Sequence, residues 1–147
     1  MKRVMGLCLG LLISSQVMAF GEPGRWFRGW GQGSTELATT DAQGNQLYFS
    51  CNGTDAPYVS LTVHGRDYGA PPARPFTLIV DGQVFEGLFN TDSHAGSQQF
   101  LYVWDKLRQA KSLQARTAEG QLVTLPLAGV TKVLAPSRSK NFPCSSI

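Results

Sequence analysis

Side chains that carry chemistry are few in this chain: two histidines and three cysteines among 147 residues, with charged residues at 16%. A zinc site takes three or four His, Cys or carboxylate ligands in clustered spacing. His64 and His94 are far apart and no C-x-x-C motif is present, so no metal is expected. Ser97, His94 and Asp92 supply the residue types of a nucleophile–base–acid set, but they crowd one short loop and lack the strand–turn–helix setting of a nucleophile motif. No catalytic set is therefore expected, and the chain reads as a non-enzyme. Paired carboxylates for glycoside hydrolysis can come from anywhere in a chain; nothing marks out a pair among the ten acidic residues. Gly29, Gly31 and Gly33 do not open a helix after a strand, so they are not read as a phosphate loop and no cofactor is expected.

Long apolar runs are also missing, apart from one at the N-terminus. Lys2 and Arg3 precede an uncharged apolar stretch at 4–13, and Val17-Met18-Ala19 has the small-residue pattern of a cleavage site. This is the layout of a secretory signal peptide over 1–19, too short for a permanent membrane anchor. The expectation is one β-rich domain over 20–147, starting at Phe20, periplasmic or secreted, and not integral to a membrane once the signal is removed. Taking Lys2 and Arg3 from thirteen basic residues leaves eleven against ten acidic ones. That balance argues against a nucleic-acid partner, which needs a basic surface to neutralise phosphates. Cys8 lies inside the apolar stretch, leaving Cys51 and Cys144. An even pair in an oxidising compartment reads as a disulfide, worth about 2–4 kcal/mol.

What is present is strand periodicity. Leu47, Phe49 and Cys51 alternate with Tyr48 and Ser50, and Val59, Leu61 and Val63 with Ser60 and Thr62, the pattern of a sheet with one buried face. Asp81-Gly82 suits a two-residue turn between 76–80 and 83–88, pairing Leu78 with Phe85. Both faces of that hairpin are apolar near the turn, which predicts a central position covered on both sides. A second hairpin is predicted around Glu119-Gly120, and a third turn at 42–45. Gly44, Gly82 and Gly120 are evenly spaced, but the rest of a three-fold repeat does not match. Phe100, Val103, Trp104 and Leu107 share one helical face, predicting a helix over 97–110 packed on the sheet. Its N-cap falls on Asp92, Ser93 or Ser97. The segments 21–33 and 135–147 read as irregular arms, the second held by Cys144. The fold class is mainly β: a small antiparallel sandwich or barrel-like domain with one packed helix.

Two surfaces are candidates for binding a protein partner. The first is the run 90–98, with Asp92, Ser93, His94 and Ser97: small polar residues that can enter a partner's cleft. The second is the arm with Trp26 and Trp30 among arginines, a composition typical of binding hot spots. The plainer readings carry somewhat more weight: an ordinary connector, and tryptophans that plug the end of the sheet.

The stretch 39–134 resembles small exported β-sandwich proteins of the invasion-associated locus B type, through the run FTLIVDG at 76–82, the helix, and 120–127. That family has further cysteines absent here. The overall plan is also similar to periplasmic immunity proteins against cell-wall-degrading effectors of type VI secretion, and to periplasmic lysozyme inhibitors. These resemblances imply an inhibitor that occludes the active site of a cell-wall hydrolase, or alternatively an envelope-associated interaction protein. A glycan-acting enzyme with an unmarked carboxylate pair is the third reading.

Overall fold

The computed structural model describes residues 21–144. The expected signal segment, Cys8 and the start at Phe20 lie outside the described residues, as do 145–147. The first sheet is a meander of β1 (Trp26–Gly31), β2 (Ser34–Thr40), β3 (Gln46–Cys51), β4 (Tyr58–Val63) and β5 (Arg66–Gly69), antiparallel throughout and spatially in chain order. The second holds β6 (Phe76–Val80), β7 (Gln83–Glu86), β8 (Leu113–Thr117) and β9 (Leu122–Thr124) in the order β7-β6-β8-β9. A long helix, α1 (His94–Leu107), lies between β7 and β8 in the chain, and a single turn, α2 (Val130–Val133), follows β9. The protein is mainly β, and the described residues form two antiparallel sheets and no closed barrel.

Tight turns set these pairings. Gln32-Gly33, His64-Gly65 and Asp81-Gly82 each place two residues at positive φ between antiparallel strands. Such turns match the right-handed twist of the strands they join. The turns at 41–45 and 117–121 form a second kind: Asp41 and Asn45 close the first, Thr117 and Gln121 the second, with Gly44 and Gly120 each donating back to the first residue. The spacing of Gly44, Gly82 and Gly120 therefore joins two kinds of turn and marks no repeat.

Three expectations are corrected. Residues 26–31 form an edge strand and not an irregular arm, paired with a second unanticipated strand at 34–40. Gly29 and Gly31 hide the alternation there, and an edge strand tolerates them. The Asp81-Gly82 hairpin pairs as expected, Leu78 opposite Phe85, but β7 is the sheet edge and Val84 is 51% exposed. Only β6 is internal. The helix begins three residues earlier than expected, because Ser93 caps it by accepting from the Gly96 N–H at 3.0 Å.

One hydrophobic cluster joins both sheets and α1. Phe49, central in β3, shows how. Its ring stacks on Trp26 with centroids 6.0 Å apart and meets Phe100 and Trp104 of α1 edge-on, both at 5.8 Å. The expected helical stripe of Phe100, Val103, Trp104 and Leu107 is buried throughout. Trp104 also secures the C-terminal segment: its indole N–H donates to the Ala135 carbonyl at 2.8 Å, and its ring packs on Phe142. Cys51 and Cys144 bring their Cα atoms within 4.9 Å, inside the span of a disulfide.

Candidate functional site

The loop between β7 and α1 is fixed by close backbone approach. Asn90 N–H closes a turn on the Gly87 carbonyl at 2.9 Å, with Gly87 at a φ of 64°. Gly96, in the first turn of α1, lies so near that a Cβ there would stand 1.7 Å from the Asn90 carbonyl oxygen. Contact, and not backbone dihedral, therefore demands glycine at 96. Thr91 is buried, and its hydroxyl donates to the Pro57 carbonyl at 2.8 Å. With Thr91 on one side and the Ser93 cap on the other, Asp92, Ser93 and His94 stand exposed between fixed points.

Thr91 also joins this loop to a second one, 52–57, which the sequence did not single out. Asn52 Oδ1 accepts from the N–H groups of Thr54 and Asp55 at 2.9 and 2.8 Å, while its amide donates to the Asp55 carboxylate. This local side-chain bonding is how Asn shapes a turn without regular structure, and it was the signal available in the sequence. Trp30 stands at the same end of the sheet, since it pairs with Thr35 and Thr35 pairs with Cys51. At that end of the first sheet, Trp30 lies on the edge strand β1, whereas the 52–57 loop and the Asp92–His94 tip lie by β4, three strands away.

Two candidate residues fall elsewhere. Trp26 is 2% exposed and belongs to the core, so it presents no ring to a partner. Alternate residues of a strand share a face; Trp26 lies beneath the core, whereas Trp30, four residues on, is 76% exposed. Ser97 is 8% exposed, inside the helix, with its hydroxyl donating to the His94 backbone carbonyl at 2.9 Å. That bond goes to the main chain and not to the imidazole, so Ser97, His94 and Asp92 form no relay. Among the described residues, no group of three or more His, Cys, Asp and Glu side chains is placed to hold a metal ion.

The carboxylates assigned to turns do more than shape them. Asp81 accepts from the N–H groups of Lys111 and Ser112 at 2.8 and 2.9 Å, bonds that hold its pKa below the ordinary value. Glu119 accepts from the Tyr68 hydroxyl at 2.9 Å and pairs with Arg66 and Arg74. The Tyr68 bond is the main cause of its lowered pKa, despite partial opposition from desolvation. Its partners lie 45 to 53 positions away in the chain, beyond any local pattern. On the outer face of the first sheet, Tyr48 donates to Glu36 at 2.6 Å, and burial together with that carboxylate pushes its phenol up to about 12.

No curated protein and no solved structure matches the chain. The family model YfjT matches residues 24–134, from the approach to β1 through α2. That span takes in both sheets, α1 and the loops at the Trp30 end, and the chain belongs to the YfjT family.

Proposed function

We propose that this chain is an exported binding protein, an immunity protein that neutralises a secreted peptidoglycan-degrading effector by occluding its active site. The observation that carries this reading is the presentation of Asp92, Ser93 and His94, exposed between the Thr91–Pro57 bond and the Ser93 cap. A loop already held in one shape loses little conformational entropy on docking, which is where preorganisation favours affinity. Small polar side chains with donors and acceptors suit a narrow cleft lined by catalytic groups. The apolar N-terminal stretch and the Cys51–Cys144 pair support an oxidising compartment, where such effectors act.

The test is pull-down from a periplasmic extract with mass spectrometry, followed by assay of the captured enzyme on purified peptidoglycan. A stoichiometric hydrolase whose activity falls on adding the protein is the expected result. Asp92→Trp should weaken that inhibition at least about tenfold, about 1.4 kcal/mol, by adding bulk at the exposed tip while leaving the Ser93 cap in place. Inhibition unchanged by bulky residues at both 92 and 94 would make the loop a plain connector.

A further inference from the structure

The near balance of charge over the chain conceals a local separation. After Glu119 the sequence carries Lys132, Arg138 and Lys140 and no acidic residue. The fold sets Lys132 and Lys140 around a groove with Arg28 of β1, between the first sheet, α2 and the C-terminal arm. The cavity is about 640 Å³ and no acidic side chain lines it. Among the described residues, ion pairs are made by Arg66 and Arg74 alone, and none involves the three cations of the groove. A cleft lined by one sign of charge focuses its field and concentrates counter-charge.

The neighbouring groups narrow the ligand. Thr35 and Asn141 bring a hydroxyl and an amide to the lining. Trp30 stands directly opposite Thr35 in the strand register, its indole 76% exposed. A simple anion would use the cations and leave the indole idle, whereas a sugar ring offers an apolar face to an aromatic and hydroxyls to polar neighbours. We propose that the groove binds a carboxylate-bearing saccharide of the cell-wall glycan type. Its carboxylates lie among Arg28, Lys132 and Lys140, and one sugar ring lies on Trp30. This site is separate from the inhibitory loop and stands or falls without it.

The experiment is calorimetric titration of the purified full-length mature protein with three probes: a soluble muropeptide, uncharged chitotetraose, and polyglutamate. The muropeptide is expected to bind most tightly and to weaken with added salt. The double variant Lys132→Gln/Lys140→Gln should lose about tenfold in affinity, and Trp30→Ala should lose several-fold. Arg138→Gln, outside the groove, should leave binding unchanged, and thermal melts of all variants establish that they fold. Absence of muropeptide binding overturns the proposal, as does equal binding of chitotetraose, which would remove the role of charge. Polyglutamate binding as tightly, with no effect of Trp30→Ala, would assign the groove to acidic peptide and overturn it as well.

Discussion

The loop 87–93 and the C-terminal arm 135–144 are both irregular backbone, yet they are held by a different balance of contacts. The loop is set chiefly by near neighbours, Asn90 against Gly87 and Gly96 and Ser93 against Gly96, with one distant bond from Thr91 to Pro57. The arm is held by distant tethers: Trp104 to Ala135 and Phe142, Asp105 to Ser137, and Cys51 to Cys144. A loop wedged at Gly96 tolerates no added volume there, whereas a tethered arm can lose its attachments one at a time.

The sharpest break in this comparison is Trp104→Ala, which removes a core side chain and an arm tether together. It should cost about 3–5 kcal/mol in chemical denaturation and loosen the arm. Gly96→Ala comes next. A Cβ forced against the Asn90 carbonyl should cost about 3 kcal/mol, with hydrogen exchange rising across 87–96 and not in the arm. Losing the covalent tether through Cys51→Ser with Cys144→Ser should cost about 2 kcal/mol or more and free the arm alone. Intact mass with and without reductant, with peptide mapping, should show no free thiol at Cys51 or Cys144.

The smallest effect is a pH dependence that should leave both regions in place. Glu119 has a folded-state pKa lowered from 4.5, chiefly by the Tyr68 bond. Its contribution to stability is therefore present above 4.5 and lost as pH falls through the lower folded-state value. Wild type should lose more stability than Glu119→Gln on moving from pH 7 into that range. Identical pH profiles would show that the cluster does not contribute to stability.

The elements legible in the sequence were those whose signal is local. Strands β3 and β4 announced themselves by alternation, the Asp81-Gly82 and Glu119-Gly120 hairpins by their turn residues, and α1 by its apolar stripe. β1 was not legible because Gly29 and Gly31 erase one face of its pattern. β5 was missed because four residues, Arg66–Gly69, are too short to alternate, and because His64, which opens the turn before it, continues the polar–apolar alternation of 58–63. Of the candidate surface, Asp92, Ser93, His94 and Trp30 were legible as exposed polar or aromatic residues. The burial of Ser97 was not, because it depends on which serine caps the helix; tryptophans plugging the end of the sheet were anticipated, and that holds for Trp26 but not for Trp30. The cationic groove was hidden for a different reason: its charges come from segments more than a hundred positions apart.

The Glu119 cluster has a further consequence when set beside the cysteine pair. Arg66 follows the His64-Gly65 turn, past the pairing of Gln46 with Thr62, whereas Cys51 terminates β3 at the other end of the same sheet. At the first end a carboxylate laces β5 to the β8–β9 turn; at the second a sulfur bridge laces β3 to the arm. These are two locks with different keys, one opened by protons and the other by electrons. Acid removes the charge on which the first rests and leaves the sulfur bridge intact, whereas a reductant cuts the second and leaves the carboxylate charged.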